Sequence, residues 1–143
     1  MTTRIYVPLT STGLAALVAD GRLAGGFRAH AVTDALRAEW PDGDDEAWEY
    51  AAMYAAADSS LALALGRAGA ADRPRRYVVA ADVPTAEPVA GDDPTLVSVA
   101  GDVPWKNVAA LHADTADVDA GSAEDADLAW FATQEIRHFV DES

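Results

Sequence analysis

The stretch from Asp44 to Leu65 constrains the fold of this chain more than any other part of the sequence. It is dominated by Ala, Leu, Glu and Met, which are strong helix formers, and no Gly or Pro interrupts it before Gly66. Asp44 and Asp45 can cap its first turn, and Gly66 suits a left-handed end. The stretch therefore predicts one long helix.

The apolar side chains of this predicted helix form two stripes. With about 100° between successive residues, one stripe carries Tyr50, Met53, Tyr54, Ala57, Leu61 and Leu65, and the other carries Trp48, Ala52, Ala56 and Leu63. A helix that is apolar on two sides is expected to be covered on two sides, so we expect it at the centre of the domain. The polar interruption Asp58-Ser59-Ser60 is most simply interpreted as a narrow exposed strip.

The remaining segments predict an α+β fold with the element order β-α-β-α-α-β-β-β-α. Strands that are clustered in sequence after helices favour a mixed sheet of about five strands, packed on the long central helix. The last helix is predicted to place Leu128, Phe131, Ala132, Ile136 and Phe139 on one face. In chain order, the predicted strands and helices other than the central helix are 4–8, 11–19, 27–32, 34–40, 77–81, 96–100, 108–112 and 124–140.

Length and composition limit the class of protein. The chain has 143 residues, half of them apolar, which fits one domain over residues 1–143. It has no cysteine, so disulfides and thiol catalysis are excluded and a cytoplasmic location is expected. The net charge of −14 makes nucleic acid and anionic membranes unsuitable partners, because both require a basic surface.

The titratable residues form no motif that is typical of catalysis. His30, His112 and His138 lack the spacing of a metal-binding motif, so we predict no metal site and no cofactor. Ser59 and Ser60 lie inside the predicted central helix and not on a nucleophile elbow. A structural role at the surface or edge of the sheet is the simpler interpretation of each histidine. The catalytic residues, if the protein has any, stay unassigned.

Two other groups of residues are candidates for binding. Arg73, Arg75 and Arg76 form the basic cluster of an otherwise acidic chain, and they could receive an anion or an acidic partner or could pair with nearby carboxylates. Trp40 and Trp105 lie beside turn residues, where tryptophans often serve as interface anchors.

The order of the elements resembles ADP-ribosyltransferase-like folds, which use an early Arg or His, an aromatic residue and a late Glu to hold a nicotinamide dinucleotide. Arg4 and Tyr6 lie on the first predicted strand and His30 lies on the second. The resemblance predicts a pocket that these residues would share with Trp130, Gln134 and Glu135.

Six stretches together resemble a family of small uncharacterised proteins from actinobacteria, which is defined as a domain of unknown function. The stretches are RIYVPLT at residues 4–10, AHAVT at 29–33, EAWEYAAMYAA at 46–56, YVVAADVP at 77–84, VPWKNVAALHAD at 103–114 and AWFATQEI at 129–136. The resemblance spans nearly the whole chain and implies a cytoplasmic bacterial protein of one domain. It implies no activity, cofactor or catalytic residue.

Three functions follow as hypotheses. The first is a non-catalytic binding or interaction module, with a second copy or another protein as its partner. The second is a small nucleotide-binding enzyme with the pocket of Arg4, Tyr6 and His30. The third is an acidic mimic of nucleic acid, which requires one continuous negative face.

Overall fold

The computed structural model describes residues 2–66, 74–118 and 127–142, and within them an antiparallel sheet of seven strands lies between helices. The strand order across this sheet is β5-β6-β3-β1-β4-β8-β9, and β2 pairs with β7 in a separate ribbon. The strands are β1 (Thr3–Leu9), β2 (Arg22–Leu23), β3 (Phe27–His30), β4 (Tyr77–Val83), β5 (Glu87–Pro88), β6 (Leu96–Val99), β7 (Val103–Pro104), β8 (Val108–Ala113) and β9 (Ala129–Ala132). The helices are α1 (Ser11–Asp20), α2 (Asp34–Glu39), α3 (Asp45–Leu65) and α4 (Ile136–Glu142).

The α+β class and the long helix are confirmed, whereas the sheet differs from the expected mixed sheet of five strands. Each pairing between described strands of the seven-stranded sheet is antiparallel. The observed order is β-α-β-β-α-α-β-β-β-β-β-β-α. The two-residue strands β2, β5 and β7 account for most of the difference, because runs this short carry no hydrophobic period.

Helix α3 packs through its small residues against one face of the sheet. The Asp44 side chain caps it by accepting from the Ala47 N–H at 2.8 Å, as predicted. Ala52 and Ala56 are fully buried against a sheet face that includes Tyr6, Val78 and Ala80. Alanine at these positions allows the helix to come close to the strands.

The outer side of α3 is exposed to solvent, contrary to the expected cover on two sides. Tyr50 is 59% exposed, and Leu63 and Leu65 are about as exposed. Gly66 follows the helix in a right-handed conformation (φ −80°), so the expected left-handed end is wrong. The buried face of α3 thus takes residues from both predicted stripes, Ala57 and Leu61 from one and Ala52 and Ala56 from the other, and each stripe also has an exposed member.

The opposite face of the sheet carries the larger core. Ile5 and Val7, which alternate with Tyr6 along β1, point to this side. Leu14 and Leu17 of α1 and Ile136 of α4 are buried in the same cluster. This places α1 and α4 on the side of the sheet away from α3.

The predicted last helix over 124–140 is wrong in its first half. Residues 124–126 lie outside the described part, Ala129–Ala132 form strand β9, and the helix begins only at Ile136. In β9, Phe131 pairs with Leu111 and Trp130 pairs with His112 of β8. Pairing with the free edge of β8 therefore outweighs the helical spacing of the apolar residues. In the described part of the chain, no helix is both long and apolar enough to span a bilayer.

Candidate functional site

A polar network adjoins a depression where β3 meets the second half of α3. We call this depression the His30 groove. It has a volume of about 520 Å³. Strand β3 places Arg28 and His30 two residues apart, so both point to the α3 side of the sheet. The groove is lined by Pro8, Phe27, Arg28, His30, Ser59, Ala62, Leu63 and Leu96.

Both ring nitrogens of His30 form hydrogen bonds with hydroxyl groups. Its ring is 2% exposed, Nδ1 lies 2.8 Å from the Thr95 hydroxyl, and Nε2 lies 3.0 Å from the Ser59 hydroxyl. The Thr95 hydroxyl in turn donates to Asp93 at 2.7 Å, and the other carboxylate oxygen of Asp93 lies 3.4 Å from Nδ1. Residues from β3, α3 and the loop before β6 therefore form one chain of hydrogen bonds.

The chemistry of these groups determines which group donates and which accepts in each hydrogen bond. A carboxylate only accepts, so the single hydroxyl proton of Thr95 is committed to Asp93. Thr95 must then accept from His30 Nδ1–H, which leaves Nε2 of the neutral ring as an acceptor for the Ser59 hydroxyl. The network thus selects the tautomer of His30 in which Nε2 can take a proton from Ser59.

The charge state of His30 agrees with this tautomer. Burial lowers the pKa of His30 below its ordinary value, and the carboxylates of Asp93 and Asp58 oppose this effect. Burial is the larger influence, so the neutral ring is favoured at neutral pH. His30 therefore has the properties of a base that is held in one orientation.

The neighbouring Ser60 holds α3 in register with the sheet. Its side chain is fully buried, its hydroxyl donates to the Leu9 carbonyl at 2.6 Å, and it accepts from the Tyr77 N–H at 2.8 Å. Leu9 and Tyr77 are opposite each other at the end of the β1–β4 ladder, so the hydroxyl links both strands to the helix. The expected exposed strip is thus divided: Asp58 is exposed, Ser59 lines the groove and Ser60 is buried.

The structure does not bring the six residues of the predicted nucleotide pocket into one cavity. Arg4 pairs with Asp82 at 2.8 Å, and the Tyr6 hydroxyl donates to Glu49 near the start of α3. Burial, followed by the hydrogen bond to Glu49, raises the pKa of Tyr6. Glu49 and the groove residue Ser59 are ten residues apart on α3, which is about 15 Å along the helix. Tyr6 and His30 are paired across β1 and β3, but their side chains reach different parts of α3.

The other three residues of that pocket lie elsewhere. Trp130 is 62% exposed on β9, the far edge of the sheet from His30. Gln134 and Glu135 line a separate depression of about 220 Å³ with Phe131, His138 and Phe139, and Phe131 and Phe139 pack against the core on the other face. The physical reason is the strand β9, which holds the side chains of Trp130 and Phe131 on opposite faces.

Two of the three clustered arginines form ion pairs with aspartates of the same chain. Arg75 pairs with Asp117 at 2.8 Å, and the buried Arg76 forms a bidentate pair with Asp114. Arg73 lies outside the described residues. The intramolecular alternative for Arg75 and Arg76 is therefore the one that the geometry favours.

The two candidate interface tryptophans differ in their surroundings. Trp40 is 45% exposed beside α3, where it lines a depression of about 360 Å³ with Tyr50 and Glu46. Trp105 is half-buried, and the guanidinium of Arg137 lies 5.7 Å from its ring centre. Trp40 is consequently the more accessible of the two.

The groove and the hydrogen-bond network at His30 contain residues that the sequence does not single out. Arg28 and Thr95 belong to no sequence motif, and Asp93 belongs to the acidic pair Asp92-Asp93, which helix capping and solvation explain. Ser59 lies inside a helix and not on a nucleophile elbow. The spacing Asp93-Pro94-Thr95 is a signal for a turn, and Asp93 indeed accepts from the Thr95 N–H at 2.9 Å. Contact of this turn with His30 depends on tertiary packing. Among the described residues, no cluster of His, Asp and Glu has the arrangement of a metal site.

Comparison with known proteins identifies a family for this chain. Over residues 3–140, the chain matches the model of a family of unknown function, DUF6912. No curated protein and no solved structure matches the chain.

Proposed function

We propose that this chain, which belongs to the DUF6912 family of unknown function, is a binding module that holds a small carboxylate with an apolar body in the His30 groove. The observation that carries the proposal is the position of Arg28 in this groove, beside the His30 and Ser59 side chains. A guanidinium is the side chain best suited to bind a carboxylate, because its two parallel N–H groups match both oxygens.

The lining of the groove supports an apolar body for the ligand. Apart from Arg28, His30 and Ser59, the groove is lined by carbon-rich side chains, among them Phe27, Leu63 and Leu96. Its volume of about 520 Å³ falls within the range of about 300–1,000 Å³ for small-molecule sites. Arg28 is exposed and makes no ion pair with a described residue, whereas Arg4, Arg22 and Arg75 each pair with an aspartate.

The proposal is tested by titrating the protein with hexanoate at about 0.15 M salt and following backbone and histidine-ring NMR signals. Moderate salt screens the negative charge of the whole chain, which would otherwise repel an anion. Shifts that saturate and map to β3 and the second half of α3 are expected. Shifts that are absent, or spread evenly over the surface, would refute the assignment.

A matched pair of variants distinguishes a specific contact in the groove from a general effect of net charge on hexanoate binding. Arg28→Gln should weaken hexanoate binding about tenfold or more, since a charge-assisted hydrogen bond contributes about 1.5–3 kcal/mol. Lys106→Gln removes the same charge from an exposed side chain outside the groove and should leave binding unchanged. Equal losses in both variants would mean that only net charge matters.

A second candidate function is self-association through the outer side of α3. It is supported by Trp40 and Tyr50, two large exposed side chains beside the same depression. Aromatic residues of this kind often anchor protein interfaces. Analytical ultracentrifugation should then give a dimer that Trp40→Ala together with Tyr50→Ala converts to a monomer, and a monomer for the unaltered protein would end this candidate.

The remaining hypotheses have less support. A nucleotide-binding enzyme would require Arg4, Tyr6 and Trp130 to act at separate places on the sheet. A nucleic-acid mimic remains a hypothesis that rests on the net charge of −14. We also infer an actinobacterial origin and a cytoplasmic location, for which the support is the sequence resemblance and the cysteine-free composition.

A further inference from the structure

The hydrogen-bond chain at His30 has the arrangement of an activated nucleophile. The Ser59 hydroxyl lies 3.0 Å from Nε2, and the opposite nitrogen is oriented through Thr95 by Asp93. Activation of serine requires a neutral histidine within hydrogen-bond reach and a third group that fixes its tautomer. All three requirements are met at one end of the His30 groove.

We propose that Ser59 is the nucleophile and His30 the general base of an ester hydrolase site in this groove. The inference deepens the proposed function and rests on it, since the bound carboxylate would be the acid product of the reaction. The substrate class is a carboxylic ester with an apolar acyl chain.

The reaction proceeds in two balanced halves. Ser59 Oγ attacks the ester carbonyl carbon while its proton passes to His30 Nε2, and the carbon–oxygen bond to the alcohol breaks as Nε2 returns that proton to the leaving oxygen. Water then attacks the acyl-serine, giving one proton to Nε2 and its oxygen to the acid. Cleavage of the acyl bond to Oγ takes the proton back and restores Ser59. The sum is ester plus water to acid plus alcohol.

Other side chains of the site have distinct roles. Arg28 is the charged residue that lines the groove, so it can stabilise the negative charge that develops on the carbonyl oxygen. Thr95 and Asp93 are positioning residues, because they act through the His30 ring and not on the substrate. Ser60 holds the helical turn that carries Ser59.

A fluorophosphonate probe tests the nucleophile directly. Ser59 Oγ attacks the phosphorus, fluoride leaves, and the hydroxyl proton is taken up through His30. Intact-mass analysis of the folded chain should show one adduct, and fragmentation should place it on Ser59 and not on the adjacent Ser60. Ser59→Ala should abolish the adduct, and Ser98→Ala, which changes a half-buried serine of β6 outside the groove lining, should leave it unchanged.

Turnover of p-nitrophenyl hexanoate tests the base. His30→Gln should reduce kcat/KM by about 100-fold or more, the scale of general-base catalysis. Because this variant could fail to fold, Thr95→Val serves as a second variant. It removes the hydroxyl that joins His30 to Asp93 and changes the size of the side chain little. If Ser59 reacts with the probe as fast in a folded Thr95→Val or His30→Gln variant as in the unaltered protein, the proposed roles of His30 and Thr95 are refuted.

The pH profile of ester turnover distinguishes a positioning role of Asp93 from a purely structural one. Turnover should rise with pH as His30 loses its proton and should then level off. The carboxylates of Asp93 and Asp58 favour the protonated form of this ring. The cation of Arg28, on the same strand, lines the same groove. Asp93→Asn removes one of the carboxylates, so the rising limb should move to lower pH while the plateau falls. A lower plateau with an unmoved limb would assign Asp93 a structural role only.

The two proposals fail in different ways. Hexanoate binding without a Ser59 adduct or ester turnover would overturn the hydrolase site and leave the binding module. A Ser59 adduct and ester turnover without hexanoate binding would support the nucleophile and overturn the carboxylate as the ligand. If neither is observed, both proposals are refuted.

Discussion

The buried ion pair between Arg76 and Asp114 gives the sharpest prediction about stability. Arg76, immediately before β4, is 2% exposed, and its Nε and Nη2 donate to the Asp114 carboxylate at 2.9 and 2.8 Å. The backbone N–H of Arg76 donates to the same carboxylate at 2.7 Å. The pKa of Arg76 is raised by its hydrogen bond to Asp114, so the guanidinium stays protonated through the neutral range.

Removal of one partner is expected to cost far more than the pair contributes. Arg76→Met leaves the Asp114 carboxylate buried with the Arg76 N–H as its donor among the described residues, and breaking a buried pair in this way costs about 3–5 kcal/mol. Asp114→Ala removes the carboxylate that pairs with the buried guanidinium of Arg76 and should cost a similar amount. Either loss is a large share of the about 5–15 kcal/mol that stabilises a domain.

The double variant Arg76→Met with Asp114→Ala should be more stable than the sum of the single losses implies. It lacks both charges of the buried pair, and its remaining cost is one backbone N–H that has lost its acceptor, about 1–3 kcal/mol. Independent effects would instead add to about 6–10 kcal/mol. Urea denaturation followed by circular dichroism measures all three variants. Additive losses, or single losses below about 1 kcal/mol, would refute the claim that the pair is desolvated and coupled.

Two further predictions concern α3 and the histidines. Ser60→Ala should destabilise the protein by about 2–4 kcal/mol, because it removes two buried hydrogen bonds, and the urea midpoint compared with that of Ser98→Ala checks this value. Burial lowers the pKa of His30, and burial together with Arg4 lowers that of His112. The unfolded chain therefore binds more protons, so stability should be constant above about pH 6.5 and decline as the pH falls below it. Urea midpoints between pH 8 and 5 test this, and a decline that persists unchanged in the double variant His30→Gln with His112→Gln would contradict it.

The sequence was most informative where a segment specifies its own structure. Helix α3 begins at the predicted Asp44 cap and ends at Leu65, because helix formers and flanking residues act locally. Thr10 likewise caps α1 through a local contact, with its hydroxyl accepting from the Gly13 N–H at 3.1 Å. Strand β4 is buried throughout most of its length, in agreement with its continuous apolar character.

Prediction failed where a distant partner decides the conformation. The residues Ala129–Ala132 have helical apolar spacing, yet they form β9 because β8 offers an unpaired edge. The same limit applies to the outer side of α3, since the sequence gives two apolar stripes and the sheet covers part of each.

The candidate site was beyond sequence analysis for the same reason. His30 and Ser59 are 29 positions apart, and His30 and Thr95 are 65 positions apart. No local pattern links them, because a hydrogen bond between side chains depends on distance in space and not along the chain. The polar interruption in the sequence of α3 identifies the helical turn that contributes to the candidate site. Only the packing of this turn against the sheet places Ser59 in the groove and Ser60 in the core. The sequence alone therefore determined the helix and its polar turn, and the tertiary structure decided what that turn contacts.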